Sequence, residues 1–297
     1  MTELAHPIPI ALDDDPLERA RLRIDADLFA PLTLAQFARV AGLSAYHFSR
    51  QFGARFGASP MAYVRARRLA AAAQLLFDDP PPSLINLALD CGFDSQEGFT
   101  RAFKRAFGVS PGRYRRQGFH TRFEETPTMT QTLPARANLT EAPTPIRKGA
   151  LRIAGFSGQF NDATKAGIPR LWDQLIKALP VTGQASEETY GVCAEAPGGE
   201  PGAMRYMAGV ALSHGASAPA GMEVIELAPQ HYLVFRQIMD GGEVHPQMQL
   251  AAKEIWGERL PKSGRRLVQA PDLEFYPGDS TPDQPGAWVE WWVPVEA

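Results

Sequence analysis

One pattern occurs twice within the first 120 residues of the chain, and it constrains the fold more than any other feature of the sequence. The two copies span residues 38–65 and 88–116, and each contains a turn with glycine, a Phe-x-x-x-Phe spacing and a later Ser-Pro pair. Gly42 and Gly92 are 50 residues apart, but the matching positions from Phe48 and Phe99 onward are 51 residues apart, so the second copy has one extra residue in its turn. A repeat this detailed indicates one supersecondary unit used twice, and the unit has the form of a helix-turn-helix.

The first third of the chain carries the start signals of several helices. Asp15-Pro16 is typical of an N-cap followed by the first helical residue. Thr33 and Ser44 each precede an apolar stretch with helical periodicity. A long Ala-rich helix is predicted over 61–77, because this stretch contains no Gly or Pro. We therefore predict an all-α domain of about seven helices over residues 17–118.

The net charge of −3 conceals an asymmetry between the two parts of the chain. Residues 17–118 hold 15 Lys and Arg against 8 Asp and Glu, a net charge of +7, and the remaining residues hold 15 against 25, a net charge of −10. A basic domain suits a polyanion such as double-stranded DNA. The acidic part suits a cationic ligand instead.

Composition excludes several other classes of protein. The apolar runs are far shorter than a membrane span, and the N-terminus lacks the basic and apolar regions of a signal peptide. The two cysteines, Cys91 and Cys193, are not spaced as metal ligands. We expect a reduced, cytoplasmic protein with no membrane partner.

The second helix of each helix-turn-helix is the one expected to enter a major groove of DNA. Phe48 and Phe52 in the first copy, and Phe99 and Phe103 in the second, are expected to point inward, which turns the polar residues beside them outward. Arg can donate twice to guanine, Gln can pair with adenine, and Glu can accept from cytosine. The residues predicted to face base edges are Tyr46, His47, Ser49, Arg50, Ser95, Gln96, Glu97, Thr100 and Arg101.

Other basic residues are better suited to phosphate contacts, which set register rather than sequence. An exposed Arg or Gln taken alone is as often merely solvated as bound to DNA. The duplicated, basic unit as a whole favours DNA binding. The predicted phosphate contacts are Arg55, Lys104, Arg105, Arg113, Arg115 and Arg116.

Both copies resemble the DNA-binding domain of the AraC/XylS family of transcription regulators. The residues that carry the resemblance best are Gly92-Phe93-Asp94-Ser95, Phe99, Arg101-Ala102-Phe103-Lys104, Gly108, Ser110-Pro111, Tyr114 and Arg115. The resemblance covers residues 17–118. It implies that one monomer places two helices in successive major grooves, about 34 Å apart, with the long helix between them as a rigid spacer.

The remainder of the chain is predicted to form a linker followed by a domain that contains both strands and helices. Residues 1–16 are predicted to be a flexible N-terminus, 119–142 a linker rich in Thr and Pro, and 143–297 a second domain. A strand–helix–strand–strand order occurs twice in the second domain and predicts a duplicated α+β unit with a pseudo-two-fold cleft. The predicted helices span 163–179 and 244–260, and the predicted strands span 151–156, 190–195, 206–212, 222–227, 232–238, 265–270, 273–276 and 288–293.

The second domain resembles the GyrI-like effector-binding domain, through residues 206–210, 222–224, 229–235, 255–256, 272–276 and 291–295. In that family a Glu two residues before a Tyr lies at the base of a cleft and pairs with cationic, aromatic ligands. The matching residues here are Glu274 and Tyr276, so the resemblance implies a small-molecule effector of that kind. The candidate walls of the cleft are Trp172, Tyr190, Tyr206, Trp288 and Trp292, although most aromatic residues in such a domain serve as core. Of these, Trp172, Tyr206 and Trp292 are predicted to contact the ligand.

The sequence therefore predicts a ligand-responsive, sequence-specific DNA-binding transcription regulator, with RNA polymerase as a further candidate partner. Two alternatives stay open. Some GyrI-like domains hydrolyse strained electrophiles, and Glu274 and Tyr276 would then act as general base and hydrogen-bond partner. The other alternative is a sequestering domain that only binds a toxic compound or a protein partner. Since no nucleophile triad, metal cluster or phosphate loop is recognisable, we predict that the chain is not an enzyme and requires no metal or cofactor.

Overall fold

The computed structural model describes residues 15–117, 136–161, 163–199, 202–279 and 281–297. The described chain forms two compact units. The helical unit contains residues 15–42 and 58–117, and the sheet unit contains residues 43–57 and those from 136 onward. The predicted N-terminal segment and most of the predicted linker lie outside the described residues.

Seven α-helices occupy the described residues up to 117, as the sequence predicts. Side-chain oxygens start five of them: Asp15, Thr33, Ser44, Ser83 and Ser95 each accept a hydrogen bond from a backbone N–H of the first turn. These bonds satisfy donors that have no partner inside the helix. The helices are α1 (Pro16–Ala26), α2 (Leu34–Ala41), α3 (Ala45–Phe56), α4 (Pro60–Leu75), α5 (Leu84–Asp90), α6 (Gln96–Phe107) and α7 (Pro111–Gln117).

The second helix-turn-helix is built around two phenylalanines of α6. Phe99 and Phe103 are fully buried among side chains of α4, α5 and α7, including Leu87 and Tyr114. Gly108 ends α6 with a φ of 76°, a left-handed conformation that favours glycine. The opposite face of α6 stays in solvent, which is the arrangement predicted for a DNA-probing helix.

The sheet unit is organised around one antiparallel sheet of eight strands in the order β1-β6-β8-β7-β3-β4-β2-β5. Besides α3, its helices are α8 (Pro169–Ala178), α9 (Val244–Glu254) and α10 (Leu260–Lys262), with a π-helical turn, Ile255–Arg259, between the last two. The strands are β1 (Thr144–Lys148), β2 (Leu151–Phe160), β3 (Gln184–Glu195), β4 (Met204–Leu212), β5 (Glu223–Leu227), β6 (Gln230–Asp240), β7 (Asp272–Tyr276) and β8 (Pro285–Pro294).

The sheet order confirms the predicted duplication. Each half consists of a short strand, a long strand, a helix and two further strands, so β1-β2-α8-β3-β4 corresponds to β5-β6-α9-β7-β8. With this correspondence, the order of strands in the sheet is the same from either end. The short first strand of each half pairs with the long strand of the other half, β1 with β6 and β5 with β2. The pseudo-two-fold axis therefore passes between β3 and β7, where the two halves meet.

The two faces of the sheet are packed differently. Residues of β3 and β4, such as Cys193 and Tyr206, pack with α8 on one face, and Trp291 of β8 packs with α9 on the same face. The alternate residues of these strands point to the other face of the sheet, where they form a separate cluster that includes Leu273 and Trp292. We call the first the helix-covered face, because α8 and α9 both pack on it.

Two sequence predictions need correction in this unit. The predicted strand 265–270 is wrong, since only an isolated bridge joins Leu267 to Val295. The pairing stops there because the chain turns away: Ala270 donates to the Val268 carbonyl within the segment, and the next residue, Pro271, has no N–H to donate. The helix predicted from residue 163 begins only at Pro169, after a 3₁₀ turn at Lys165–Gly167.

Gly155 provides a test of how closely β2 and β4 pack. It lies opposite Gly209 in the register, and a Cβ at position 155 would overlap the carbonyl oxygen of Ala208 and lie 2.6 Å from the Gly209 Cα. We expect Gly155→Ala to destabilise the sheet unit by about 2–3 kcal/mol and to lower Tm by roughly 5–10 °C. All five tryptophans belong to this unit, so their fluorescence reports its unfolding. Gly149→Ala is the control, since a Cβ there meets nothing within 4 Å, and equal melting of the two variants would contradict the packing argument.

Candidate DNA-contacting helices and ligand site

The outward face of α6 is open to solvent. Arg101 donates to Glu97 at 2.9 Å one helical turn away, and both side chains are highly exposed. Such a surface pair contributes at most about 1 kcal/mol, so it leaves Arg101 free to rearrange onto DNA. Of the predicted contact residues, Ser95, Gln96, Glu97, Arg101, Lys104 and Arg105 are exposed and Thr100 is half-buried.

Arg115 has a partner within the helical unit. Its guanidinium donates to the backbone carbonyl of Pro82 at 3.0 Å, and the side chain is half-buried. This bond ties α7 to the loop before α5. A phosphate contact by Arg115 stays a prediction, but the residue also supports the fold.

The equivalent helix of the first repeat, α3, is placed differently. The structure buries Tyr46 and His47, which are each 3% exposed, within the sheet unit. The Arg50 side chain is 17% exposed. Ser49 is half-buried and Arg55 is exposed. Contact of these residues with DNA remains a prediction, and in this arrangement Tyr46, His47 and Arg50 are engaged with protein instead.

Arg50 is held by a carboxylate and an aromatic ring. Its Nη1 lies 2.8 Å from Oδ2 of the buried Asp272 and 2.7 Å from the Tyr46 hydroxyl, and that hydroxyl donates to Asp272 Oδ1 at 2.8 Å. The guanidinium carbon lies 4.3 Å from the centre of the Trp256 ring, a cation–π distance. Burial lowers the pKa of Arg50, but Asp272 and Tyr46 outweigh burial and hold its pKa well above the usual value, so the group stays charged.

His47 packs beside this group. Its ring stacks on the Trp256 ring at 5.9 Å with an interplanar angle of 20°, and its Nδ1 lies 3.2 Å from the Ser44 hydroxyl. Burial lowers the pKa of His47, so the ring is neutral at pH 7. Within the part of the chain that the structure describes, His47 Nε2 and Trp256 Nε1 are buried without a hydrogen-bond partner.

Glu274 lies on the same face of β7 as Asp272, two residues further along. It is 8% exposed, and its Oε2 accepts hydrogen bonds from Tyr206 at 2.6 Å and Tyr276 at 3.0 Å. Trp172 Nε1 donates to the Tyr206 hydroxyl at 3.0 Å. Burial raises the pKa of Glu274, and the two tyrosine hydrogen bonds only partly oppose this.

Four of the five residues predicted for the ligand cleft therefore meet: Glu274, Tyr276, Tyr206 and Trp172. The Trp172 ring also packs edge-on against Tyr276 at 4.6 Å. Trp292 does not join them, because it lies opposite Leu273 in the register and belongs to the cluster on the other face of the sheet.

Gly191 makes room for the Glu274 cluster. It lies opposite Glu274 where β3 pairs with β7, and a Cβ at this position would overlap the Tyr206 hydroxyl and Glu274 Oε2. The centre of the sheet is therefore shaped around a carboxylate. Asp272, Trp256 and Gly191 were not predicted as site residues from the sequence, although alternation along β7 places Asp272 and Glu274 on one face and could have found the first of them.

Other kinds of site are not supported in the described residues. No group of three or more His, Cys, Asp and Glu side chains is placed there to hold a metal ion. None of the described helices is both long and apolar enough to cross a membrane. An open depression of about 440 Å³ is lined by residues of α9, the π-helical turn and α10, such as Glu254 and Lys262, and shares no residue with the Glu274 cluster.

Comparison with known proteins identifies two domain families. A helix-turn-helix domain model matches residues 37–117, and the model of the GyrI-like small molecule binding domain matches residues 143–296. The second match covers more than half of the chain.

Individual relatives match smaller parts. Transcriptional regulator Rob of Salmonella typhimurium is 36% identical over 126 residues, which cover 41% of this chain and 43% of Rob. The uncharacterized HTH-type transcriptional regulator YbfP of Bacillus subtilis is 41% identical over 93 residues, 31% of each chain. The chain thus spans less than half the length of these curated relatives.

Among solved structures, that of SAV2435 bound to tetraphenylphosphonium is 21% identical, with a TM-score of 0.43, and the match covers 52% of this chain and 94% of that one. The domain matches agree with the duplicated helix-turn-helix pattern and with the duplicated sheet. The chain belongs to the GyrI-like small molecule binding family and carries a helix-turn-helix domain of the AraC type ahead of that domain.

Proposed function

We propose that the protein is a sequence-specific DNA-binding transcription regulator whose affinity for DNA responds to a small organic cation bound in the sheet unit. The observation that carries the proposal is the Glu274 cluster, a carboxylate buried at the meeting point of two duplicated halves in a chain that also carries a DNA-probing helix. We infer that the protein acts in the cytoplasm, where its DNA target would lie, and that RNA polymerase is a further partner.

The chemistry of the cluster favours a cation as ligand. The described partners of Glu274 are two neutral hydroxyls, so its charge is solvated by dipoles rather than neutralised. A buried carboxylate in this state gains most from a cation that replaces its lost hydration. Trp172 and the two tyrosines supply aromatic faces, which attract organic cations more than small hydrated ions. An aromatic or lipophilic cation is the expected class.

A titration of DNA binding tests the proposal. The full chain is expected to shift a fragment of its own upstream region at modest salt, and tetraphenylphosphonium is expected to change that affinity, whereas the neutral triphenylphosphine oxide is not. Absence of any sequence preference over random DNA would overturn the assignment as a regulator. Tight cation binding with unchanged DNA affinity would favour the sequestering alternative.

A second candidate function is hydrolysis of a strained electrophile. The specific observation in its favour is the raised pKa of Glu274, because a base with a higher pKa accepts a proton from water more readily. We expect no catalytic turnover, since the two tyrosine hydroxyls donate to Glu274 Oε2 and stabilise its charged form, which makes the carboxylate a weaker base. Release of a diol from an epoxide by the full chain, lost in Glu274→Gln, would promote this function over ligand binding.

Arg101 tests the base-reading role of α6. If its guanidinium contacts guanine, Arg101→Ala should weaken binding to the selected site by about 1–3 kcal/mol and leave binding to random DNA nearly unchanged. Lys104→Ala is the matched control on the same helix, because an exposed lysine on phosphate should weaken all sequences alike and reduce the salt dependence. Competition mobility shifts at several salt concentrations measure both effects. Equal losses of Arg101→Ala on selected and random DNA would mean that Arg101 contacts only the backbone.

Glu274→Gln tests the charge of the ligand site. The amide keeps a hydrogen-bond acceptor for the two tyrosines but removes the charge, so tetraphenylphosphonium should bind at least about tenfold more weakly, while triphenylphosphine oxide should be affected little. Calorimetric titration of both compounds measures the difference. Equal losses for the charged and the neutral compound would remove the electrostatic argument.

The same variant should be more stable than the wild type at neutral pH. Burial raises the pKa of Glu274, so the folded protein favours its neutral carboxyl over its charged carboxylate. The stability that the neutral form contributes is present at low pH and is lost as the pH rises through the pKa of the folded state. Glu274→Gln should therefore melt higher at pH 7.5, and its advantage should vanish below about pH 4. Glu195→Gln, at an exposed position of β3, is the control and should show no such pH-dependent difference. A variant that melts lower than the wild type at pH 7.5 would contradict the raised pKa.

A further inference from the structure

Helix α3 lies across the meeting point of the two halves of the sheet unit. At its start, Tyr46 belongs to the cluster around α8, together with Cys193 and Tyr206. At its end, Ala54 packs against the cluster around α9, and the Ala54 backbone lies so close to Gly257 that a Cβ there would be 3.1 Å from it. The helix therefore occupies the cleft that the duplication creates on the helix-covered face.

Arg50 occupies the environment that an organic cation requires. Its guanidinium lies on the face of Trp256 and pairs with the buried Asp272, which stands two residues from Glu274 on the same face of β7. A planar delocalised cation between an aromatic ring and a carboxylate is the arrangement by which proteins recognise aromatic cations. The chain thus supplies a cation of its own to this cleft.

The docked helix leaves polar groups without partners. His47 Nε2 and Trp256 Nε1 are both buried and unbonded among the described residues, and both would regain water if α3 left the cleft. The contact thus combines a strong ion pair with unsatisfied groups, which is a suitable combination for a contact that has to open.

We propose that Arg50 is a tethered internal ligand, and that a cationic effector and α3 compete for the acidic cleft of the sheet unit. In the ligand-free protein, α3 is docked and its base-reading residues are withdrawn, so DNA is read by α6 alone. The effector displaces Arg50, and α3 becomes free to read the second half of the site. This inference rests on the proposed function and adds the route by which the two activities are coupled.

A reversible disulfide between α3 and the π-helical turn tests the competition. A Cβ at position 257 would lie 3.3 Å from the Ala54 Cβ, close to the range of about 3.5–4.5 Å found in disulfides, so Ala54→Cys with Gly257→Cys can lock the docked state. Cys91 and Cys193 are buried free cysteines, and the two single variants control for their reactions.

The locked and reduced forms of the double variant are compared in the full chain. The oxidised protein should bind tetraphenylphosphonium at least tenfold more weakly than the reduced protein. Its DNase footprint should cover only the half-site read by α6 and should not respond to the cation. Reduction should restore cation binding and the longer footprint in the presence of the cation.

Each other outcome has a definite meaning. If oxidised and reduced forms bind the cation equally, the competition is refuted while the proposed function stands. If the reduced form binds DNA specifically but binds no cation, the proposed function fails and the inference fails with it. If the disulfide does not form under oxidising conditions, although the variant is folded by tryptophan fluorescence and Gly257→Cys alone keeps the short footprint, α3 is not docked and the inference is wrong.

Asp272→Asn opens the same contact without a crosslink. The amide keeps the shape of Asp272 but removes its charge, so Arg50 should no longer be held and the longer footprint should appear without any cation. Asp173→Asn, at an exposed position of α8, is the matched control and should retain the short footprint until the cation is added. A folded Asp272→Asn protein with the short footprint would overturn the role assigned to the Asp272–Arg50 pair.

Discussion

Two carboxylates buried on one face of β7 are the constraint on which the sheet unit depends. A buried charge is strongly unfavourable unless it is paired or hydrogen-bonded. Glu274 meets this requirement through the hydroxyls of Tyr206 and Tyr276, and Asp272 meets it through Tyr46 and Arg50. Since these partners come from β4, β7 and α3, the need to satisfy two charges fixes the relative positions of three elements of the unit.

The duplication explains why the carboxylates lie where they do. Apart from the exchanged strands β1 and β5, the two halves meet where β3 pairs with β7, and neither α8 nor α9 can cover that line completely, since each packs on its own half. A cleft on the helix-covered face follows from the symmetry of the fold. The sequence then breaks the symmetry: Gly191 on β3 faces Glu274 on β7, so one half supplies the space and the other the charge.

The sequence predicts the local structure well, because local structure depends on local signals. Caps, helix faces and most strands follow from residues close together in the chain, and so does the doubled strand–helix–strand–strand order. The exchange of β1 and β5 between the halves could not be predicted, since pairing over such distances depends on the whole sheet. Trp292 illustrates the same limit. Its side of the sheet is set by its pairing with Leu273, and no pattern within β8 tells which of Trp291 and Trp292 faces the helices.

The position of α3 could not be predicted for a different reason. Tyr46, His47 and Arg50 have the properties of a surface that reads base edges, and the same properties suit a cleft lined by Asp272 and Trp256. An arginine that can donate to guanine can equally donate to a carboxylate. Amphipathic periodicity marks this face of α3 as polar, but it does not distinguish between two polar partners.

Competition for the acidic cleft would also explain why the effector strengthens DNA binding by α3, and why DNA strengthens binding of the effector in return. A ligand shifts a conformational equilibrium only by the difference between its affinities for the two states. On the proposed mechanism that difference is built in, because the docked helix places its own cation where the effector has to bind. Linkage then requires the converse. When α3 is bound in the major groove of DNA, the acidic cleft is empty, and the affinity for the effector rises by the factor by which the effector raises the affinity for DNA. The second repeat, whose probing face is already exposed, would keep the protein on its site while the first repeat responds.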